Sequence, residues 1–306
     1  MRFLVLGGTG FIGSHIVDML LENGHYVKVI DRTLKYTQNK FPHSIEYIQA
    51  DYGDTFILAE ALMGIDSVIH LVSSTMPSSS NLDPVADIQT NLVNSVKLLQ
   101  AMNHANVKRI IYFSSGGTVY GNPNQIPIPE THPTHPICSY GITKLAIENY
   151  LFMYQELYDL NPIILRPSNP YGPRQGHHGA QGVIGTFINQ IMNEQTINIW
   201  GDGSIIRDYI YIADLVNACL AAIDSEINGT FNIGSGHGYS LLEIIDEIEQ
   251  CIQKKAQVNF DPGRSFDIAE MILDVSLAKD KLTWKPKHTL QQGIQLHYDW
   301  FKSNNI

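Results

Sequence analysis

The sequence has few basic residues and few cysteines, and these shortages exclude several classes of protein. It contains 20 Lys and Arg against 30 Asp and Glu, a formal net charge of −10. We expect no nucleic-acid partner, because binding to phosphate backbones needs a basic surface that displaces counterions. The three cysteines, Cys138, Cys219 and Cys251, are odd in number and widely spaced. They form neither a disulfide framework nor a C-x-x-C site, which indicates a reducing compartment.

Long apolar runs are also missing. The sequence has no run of 18 apolar residues, and its first residues lead straight into a strand pattern rather than a signal peptide. We therefore expect no membrane segment and a cytoplasmic location. The 306 residues are 44% hydrophobic and 16% charged, which is enough for the core of one large or two modest globular domains.

A glycine-rich turn near the front of the chain is the strongest local signal. The apolar run from Phe3 to Leu6 leads into G-G-T-G-F-I-G (7–13), and an apolar pattern of helical spacing follows. Glycines 8, 10 and 13 satisfy G-x-G-x-x-G in the strand–turn–helix context that gives this pattern its meaning. A backbone that turns tightly against a pyrophosphate has no room for a Cβ atom, and the start of the helix offers free N–H groups to phosphates. The turn predicts a dinucleotide site.

Carboxylates at the ends of the next two strand patterns support this prediction. The run from Tyr26 to Ile30 ends in Asp31, eighteen positions after Gly13. This is near the ~20 positions expected for the carboxylate that binds the ribose hydroxyls of NAD. A third run, 45–48, leads to Asp51, which we expect near the adenine. The alternative, a structural turn with a solvated Asp31, is disfavoured by the combined pattern.

The order of strand and helix patterns predicts an α/β fold with a doubly wound, parallel Rossmann sheet. Beyond residue 60 we expect a strand at 66–72, a helix from Asp83 or Pro84 to about Asn106, a strand at 109–114 and a helix at 139–159. Residues 168–182 are rich in Pro, Gly and Asn, which predicts a long functional loop. We assign 1–167 to an NAD-binding domain, with 205–234 returning to it, and 168–306 to a smaller, interleaved α/β substrate domain.

Tyr140 and Lys144, in S-Y-G-I-T-K (139–144), are four positions apart and so share one face of a helix. A lysine cation beside a phenol favours the phenolate and lowers the tyrosine pKa from its usual ~10. Such a tyrosine can take the proton of an alcohol while a hydride leaves for nicotinamide. Y-x-x-x-K alone is weak evidence, because both residues are common on exposed helices. Behind the glycine turn it predicts a catalytic pair.

With these motifs the sequence resembles the extended short-chain dehydrogenase/reductase family, especially nucleotide-sugar epimerases of the UDP-glucose 4-epimerase type. The resemblance covers essentially the whole chain. Besides Asp31, it is carried by GGTGFIGSH (7–15), HLVSS (70–74), YFSSGGTVYG (112–121), SYGITK (139–144), LRPSNPYGP (165–173), IWGDGSIIRDYIYIAD (199–214), NIGSG (232–236) and GRSFD (263–267). It implies an NAD cofactor and a second domain that binds a nucleotide-diphospho-sugar.

The resemblance also implies roles for individual residues, with Tyr140 as the base and Lys144 as its cofactor-bound partner. The implied cofactor-binding residues are Gly7, Gly10, Phe11, Ile12, Gly13, Asp31, Arg32, Asp51, Tyr52, Leu71, Ser73, Asn91, Ser114, Tyr140, Lys144 and Pro167. The implied substrate-binding residues are Ser74, Thr118, Tyr140, Asn169, Trp200, Arg207, Arg264 and Asp267. Of these, Asn169 and the two arginines hold the diphosphate, since a guanidinium donates parallel N–H bonds to phosphate oxygens. Taken alone, either arginine is better interpreted as a member of a surface ion pair. Trp200 and Tyr209, taken alone, are better interpreted as core residues than as residues that stack on a base.

One segment departs from the family pattern. Family members generally carry Ser or Thr four residues before the tyrosine of the VYG segment, where this sequence has Gly116. Thr118 is our first candidate for the missing hydroxyl and Ser115 our second. Gly117 and Thr118 replace the Asp–Glu pair of the sugar dehydratases, and the glutamate of the decarboxylating relatives is also missing. An epimerase is therefore favoured, followed by a keto-sugar reductase and then a catalytically silent NAD-binding protein.

Three expectations complete the interpretation. His70, His177 and His178 have no carboxylate or cysteine at ligand spacing, so we expect no metal site. Helices 84–106 and 139–159 carry more apolar surface than one sheet face needs, and in relatives they pair across a twofold axis, so we expect a homodimer. Asp31 favours NAD over NADP because it repels the 2′-phosphate, although Arg32 next to it could bind that phosphate.

Overall fold

A computed structural model describes residues 1–33, 45–176, 182–263 and 268–304. The strands are β1 (Arg2–Leu6), β2 (Tyr26–Asp31), β3 (Ile45–Gln49), β4 (Ser67–His70), β5 (Arg109–Phe113), β6 (Asn161–Pro167), β7 (Asn169–Tyr171), β8 (Thr196–Trp200), β9 (Ile206–Tyr211), β10 (Gly229–Ile233), β11 (Gly238–Ser240), β12 (Gln257–Asp261) and β13 (Glu270–Met271). The α-helices are α1 (Phe11–Glu22), α2 (Thr55–Ala61), α3 (Pro84–Asp87), α4 (Asn94–His104), α5 (Ser139–Tyr158), α6 (Val183–Met192), α7 (Ile212–Asp224), α8 (Leu241–Ile252), α9 (Ser276–Leu282) and α10 (Leu290–Asn304).

The chain divides into two compact units. The first comprises Met1–Gly121, Pro133–Arg166 and Val216–Phe231, and the second comprises Asn122–His132, Pro167–Leu215 and Asn232–Ile306. The segment that returns to the first unit is thus narrower than the 205–234 that we predicted, and residues 122–132, which we placed in the first domain, belong to the second unit.

A seven-stranded sheet in the order β10-β6-β5-β4-β1-β2-β3 forms the centre of the first unit. Strand β1 pairs in parallel with β2 on one side and with β4 on the other, so the strand order reverses direction at β1. Phe3 to Leu6 are fully buried, as expected for a parallel strand covered by helices on both faces. The predicted doubly wound sheet is confirmed. In such sheets ligands bind beyond the carboxyl ends of the strands where the order reverses.

Helices α4 and α5 cover one face of this sheet. Leu98, Leu99 and Met102 of α4 and Ile147, Leu151 and Tyr154 of α5 belong to one apolar cluster with sheet residues such as Val68 and Ile110. These helical residues recur at intervals of three and four, the spacing that places them on one face. Packing against the sheet therefore fixes which faces of α4 and α5 point away from it.

The predicted continuous helix from residue 84 to 106 is wrong in its middle. A π-helical segment, Ile88–Val93, separates α3 from α4. Its carbonyl groups receive side-chain hydrogen bonds: the Tyr52 hydroxyl donates to the oxygens of Thr90 (3.0 Å) and Asn91 (3.2 Å), and the Ser95 hydroxyl donates to the latter (2.7 Å). Such segments are frequent at functional sites. This one brings Thr90 to the wall of a cleft.

The second unit is built around β9, which pairs with β7 and β13 in parallel and with β11 in antiparallel orientation. A separate parallel pair joins β8 to β12, and helices α6, α8 and α10 pack against one another. The predicted loop at 168–182 contains β7, and β11, β12 and β13 were not predicted. Three of these four strands have only two or three residues, too few to show an alternating pattern. Residues 177–181 of that loop lie outside the described residues.

Candidate active site

The glycine turn joins β1 to α1 and leaves no space for a side chain at Gly13. A Cβ atom on Gly13 would lie 2.1 Å from the carbonyl oxygen of Gly7 and 2.8 Å from the Cα of Gly8, so only glycine fits. The turn is closed by a hydrogen bond from the Gly10 amide to the Gly7 oxygen at 3.2 Å. Gly10 is also the N-cap of α1 and supplies no side-chain hydrogen bond. The first amides of α1, at Phe11 and Ile12, therefore begin a helix whose positive end has no side-chain cap.

Asp31 ends β2 beside this turn. Its Oδ2 atom accepts a hydrogen bond from the backbone amide of Thr9 at 3.2 Å, and the Thr9 hydroxyl lies 2.8 Å from the same oxygen. One carboxylate oxygen is thus fixed by the glycine turn itself. This arrangement leaves Oδ1 directed away from the turn, with the Thr33 amide 3.5 Å away.

A cleft of about 210 Å³ opens at the carboxyl ends of β1, β2 and β4. It is lined by Gly7, Gly10, Ile30, Asp31, Arg32, Ala50, Asp51, Tyr52, Leu71, Val72, Ser73, Ser74 and Thr90. Eight of the residues predicted to bind the cofactor and one predicted to bind substrate, Ser74, are therefore brought together. Sequence reasoning missed Ile30, Ala50, Val72 and Thr90, which follow from the strand ends and the π-helical segment. Three features of this cleft fit a dinucleotide. They are the glycine turn, the start of α1 without a side-chain cap and the Asp31 carboxylate held by the turn.

Asn91 holds the loop after β4 against the π-helical segment. Its side-chain oxygen accepts the Ser74 amide at 2.8 Å, and its Nδ2 donates to Asp87 at 2.7 Å. The Ser74 hydroxyl lies 2.5 Å from that of Thr90. Asn91, which we predicted to bind the cofactor, is itself buried and contacts the cleft wall through Ser74.

Tyr140 and Lys144 lie on the first two turns of α5. The Lys144 ammonium donates to the carbonyl oxygen of Phe113 at 2.8 Å and lies 5.6 Å from the centre of the Tyr140 ring. Burial lowers the pKa of Lys144 to about 8, although Glu148 and Asp87 act against this decrease. Burial likewise raises the pKa of Tyr140 to about 12, while a hydrogen bond with the Ser115 side chain opposes the rise. The pKa of Tyr140 is thus raised, whereas the lysine four positions away predicted a lowered one.

The loop that carries Ser115 and Thr118 packs closely on α5. A Cβ atom on Gly141, next to Tyr140, would lie 2.7 Å from the carbonyl oxygen of Thr118, so glycine allows this approach. The Thr118 hydroxyl is buried and has no hydrogen-bond partner among the described residues. A buried hydroxyl without a partner is unfavourable unless a ligand satisfies it. Of the two candidates for the missing hydroxyl, Ser115 forms a hydrogen bond with Tyr140. The Thr118 hydroxyl makes no hydrogen bond among the described residues and can therefore bind a ligand.

A buried ion pair continues the Tyr140–Lys144 face by one more turn, to Glu148. Its Oε1 accepts a hydrogen bond from Arg166 Nε at 3.0 Å, and the guanidinium also donates to Tyr120 at 2.9 Å. The Ser114 hydroxyl donates to the same carboxylate. Glu148 and Arg166 are 0% and 5% exposed. The pair links α5 to the ends of β5 and β6, and sequence reasoning missed it, although the spacing Tyr140, Lys144, Glu148 is regular.

The described residues among those predicted in the second unit lie on strands β7, β8 and β9. The Asn169 amide group donates to the carbonyl oxygen of Asp208 at 2.8 Å, where β7 meets β9. Arg207 is partly buried on β9, and Tyr209 is buried, so its core placement holds. Trp200, at the end of β8, is 53% exposed, so the prediction of a core position for this residue was wrong. Arg264, Asp267, His177 and His178 lie outside the described residues.

His70 has a packing role at the end of β4. It is buried between the rings of Tyr52 and Tyr112, each 5.4 Å away. Its Nε2 lies 2.9 Å from the Ser95 hydroxyl, and burial lowers its pKa to about 3. Across the described ranges, no cluster of three His, Cys, Asp or Glu side chains has the arrangement of a metal site. Among the helices described, none is both long and apolar enough to span a membrane.

The glycine turn, the carboxylate at the end of β2 and the Tyr–Lys pair are the features of enzymes that combine a nicotinamide dinucleotide with a tyrosine base. The chain belongs to the NAD dependent epimerase/dehydratase family, whose model matches residues 3–234. This confirms the resemblance and the NAD cofactor predicted from the sequence.

Several relatives align with nearly the full chain. A UDP-glucose 4-epimerase of Mycolicibacterium smegmatis is 35% identical over 100% of both proteins. A dTDP-4-dehydro-6-deoxyglucose reductase of Escherichia coli is 34% identical over 95% of this chain and 94% of its own. The crystal structure of the UDP-glucose 4-epimerase of Thermotoga maritima with UDP-glucose superposes with a TM-score of 0.95, at 34% identity and full coverage of both chains.

Proposed function

We propose that this protein is an NAD-dependent epimerase that inverts C4 of a UDP-hexose through a 4-keto sugar. The observation that carries the proposal is the Tyr140–Lys144 pair on α5, in the same unit as the glycine-lined cleft. The similarity to UDP-glucose 4-epimerases over full length supports the choice of substrate.

NAD would lie in the cleft of the first unit. Asp31 would accept the hydroxyls of the adenosine ribose, and the amides at the start of α1 would face the pyrophosphate. Asp51 and Tyr52 would flank the adenine. The other residues that we assign to the cofactor are Gly7, Gly10, Gly13, Arg32, Leu71, Ser73, Asn91, Ser114, Lys144 and Pro167. The chemistry that bound NAD would supply is acceptance of the hydride from the sugar carbon and its return to the opposite face of the 4-keto sugar.

The chain's own residues move the proton. Tyr140 takes the proton of the sugar 4-hydroxyl and returns it to the keto oxygen, so it must be ionised when the sugar is oxidised. The Lys144 ammonium stabilises the phenolate electrostatically, because Lys144 is buried next to the partly buried tyrosine ring. The Ser115 hydroxyl donates to the phenolate, and the Thr118 hydroxyl donates to the reacting oxygen. These interactions act against the burial that raises the pKa of Tyr140.

Polar residues of the second unit would bind the nucleoside diphosphate of the substrate. We assign the diphosphate to Asn169, Arg207 and Arg264, and the nucleoside to Trp200 and Asp267. The exposed indole of Trp200 offers a face on which a uracil ring can stack.

The experiment is incubation of the purified protein with UDP-glucose, UDP-galactose, UDP-N-acetylglucosamine and UDP-glucuronic acid, followed by chromatography. We expect one 4-epimer pair to reach the same mixture from either side, with no change in absorbance at the reduced-nicotinamide band. Absence of product with every UDP-, GDP- and CDP-sugar would contradict the proposal and favour a silent NAD-binding protein.

A keto-sugar reductase is the second candidate. The similarity to the Escherichia coli reductase favours it. A reductase consumes one reduced cofactor for each product molecule, whereas an epimerase consumes none. Product formed only with an equal loss of NADH or NADPH, from a 4-keto sugar substrate, would replace the first candidate with the second.

We also propose a homodimer formed by α5 and the segment 84–104. Ile142 and Leu157 of α5 are 55% and 64% exposed, and Val85 of α3 is 62% exposed. Tyr150 and Met153 extend the same face of α5, so a contiguous apolar surface is available to a second copy. Light scattering should give a dimer mass at micromolar concentration, and Ile142→Glu with Leu157→Glu should give a monomer. The cytoplasmic location stays a prediction.

A further inference from the structure

The catalytic face of α5 is held by contacts that start from a single buried carboxylate, Asp87. Asp87 is the last residue of α3 and is 0% exposed. Its Oδ2 accepts the Ser139 hydroxyl at 2.6 Å and the Thr143 hydroxyl at 2.9 Å. Its Oδ1 accepts the Thr75 hydroxyl at 2.6 Å and the Asn91 amide group at 2.7 Å. One carboxylate thus joins the loop after β4, the π-helical segment and the start of α5.

The two hydroxyls that Asp87 holds on α5 have a special position. Ser139 directly precedes Tyr140, and Thr143 directly precedes Lys144. Adjacent residues on a helix are separated by about 100°. Hydrogen bonds that fix Ser139 and Thr143 therefore also fix the rotation of Tyr140 and Lys144 about the helix axis. Asp87 therefore determines where the phenol and the ammonium point, without touching either of them.

The start of α5 has no cap of its own. Cys138 makes no side-chain capping bond, and the first amides are satisfied instead from the segment before α3. Asn81 accepts the Ser139 amide at 2.8 Å, and the Ser80 hydroxyl accepts the Tyr140 amide at 3.1 Å. The stretch of chain just before Asp87 therefore satisfies the first two amides of α5.

We propose that Asp87 is a positioning residue for the epimerase reaction, which orients Tyr140 and Lys144 through the Ser139 and Thr143 hydroxyls. The full hydrogen-bonding of this carboxylate agrees with the role: burial acts to raise its pKa, but the four bonds hold the pKa below its ordinary value, so it stays ionised. An ionised acceptor binds two hydroxyls at short distance more strongly than a neutral one would. The inference rests on the proposed function of the Tyr140–Lys144 pair.

The test uses the NAD-loaded enzyme and three variants. Ser139→Ala/Thr143→Val removes both ties and leaves Asp87 its other two partners. Asp87→Ala removes the whole anchor, and Asp83→Asn is the matched control, because Asp83 is an exposed N-cap on the same helix and Asn caps equally well. We expect the double variant and Asp87→Ala to lower kcat about ten- to a hundredfold, since small misplacements of reacting groups cost that much. In the double variant, which leaves the Asn91 contact with Asp87 intact, KM and NAD content should change less than threefold.

Combining Asp87→Ala with the double variant should add less than a threefold further loss, since all three residues act through one anchor. Folded variants with kcat within twofold of wild type, or with losses that multiply, would overturn the proposal. If Asp87→Ala does not fold, the double variant alone decides, because it changes only two hydroxyl groups.

A readout without turnover separates this proposal from the proposed function. In protein labelled with [¹³Cζ]tyrosine, the Tyr140 resonance is the one lost in Tyr140→Phe. If wild type proves inactive on all sugars, the epimerase proposal fails, and this resonance still tests the anchor. A shift or broadening in Ser139→Ala/Thr143→Val but not in Asp83→Asn supports it, and an unchanged resonance overturns it.

Discussion

The ammonium nitrogen of Lys144 lies 5.6 Å from the centre of the Tyr140 ring and is held there by the carbonyl oxygen of Phe113. Lys144 is buried and Tyr140 is partly buried. Burial shifts the pKa of each towards the neutral form, to about 8 for the lysine and about 12 for the tyrosine. The protonation states of two residues arranged in this way change readily when a ligand changes their surroundings. The predictions below follow from this pair and from the groups that support it.

The first prediction concerns the base. Tyr140→Phe removes the phenol and keeps the ring, so kcat should fall about 10²–10⁴-fold while binding of NAD and UDP-sugar, measured by calorimetry, stays near wild type. Tyr150→Phe is the control, because Tyr150 lies on the same helix and is partly exposed. Turnover of Tyr140→Phe equal to that of Tyr150→Phe would remove Tyr140 from the mechanism.

The second prediction concerns the buried ion pair. Arg166→Met leaves the carboxylate of Glu148 buried without its main partner, so the free energy of unfolding should fall by about 3–5 kcal/mol. Glu148→Leu/Arg166→Met should recover most of this loss, because no uncompensated charge remains. Urea unfolding at pH 7 measures both. A double variant no more stable than Arg166→Met would show that the charge is not the cause.

The third prediction concerns His70 and pH. The Ser95 hydroxyl donates to Asn91, so His70 Nε2 carries the proton that it shares with Ser95, and the buried ring is neutral. Burial lowers its folded pKa from 6.5 to about 3. Between these values only the unfolded chain takes up the proton, so His70 contributes a loss of stability of about 1.4 kcal/mol per unit as pH falls below 6.5.

His70→Leu should therefore lose less stability than wild type between pH 7 and pH 5, by about 2 kcal/mol. Urea unfolding at both pH values gives this difference directly. Equal losses in the two proteins would mean that His70 is protonated in the folded state.

The fourth prediction concerns cofactor choice. Asp31→Ala removes the proposed acceptor of two ribose hydroxyls, so NAD affinity should fall about ten- to a hundredfold while NADP affinity rises or is unchanged. Adding Arg32→Ala should lower NADP affinity again, since Arg32 is the exposed cation next to that position. Fluorescence titration with NADH and NADPH measures both. An unchanged preference in Asp31→Ala would place the ribose elsewhere.

The sequence alone predicted the features that depend on neighbouring residues. The glycine turn, Asp31 and the Tyr140–Lys144 pair each show a local pattern, and the structure brings the predicted cleft residues together. Asp87 and the Glu148–Arg166 pair were missed because their role depends on partners that are distant in sequence: 52 positions separate Asp87 from Ser139. The π-helical segment and the short strands β7, β11 and β13 are likewise fixed by tertiary contacts, which no local pattern reports.

The most direct measurement of the central claim follows the hydrogen at C4 of the sugar. UDP-glucose carrying deuterium at C4 is incubated with the protein without added cofactor, and the UDP-galactose formed is analysed by mass spectrometry and ¹H NMR. An epimerase that holds its NAD and moves only the hydroxyl proton through Tyr140 returns the same hydrogen, so we expect full retention of deuterium at C4 and no change in reduced-nicotinamide absorbance. Product with protium at C4, or product formed only with an equal loss of added NADPH, would contradict the account.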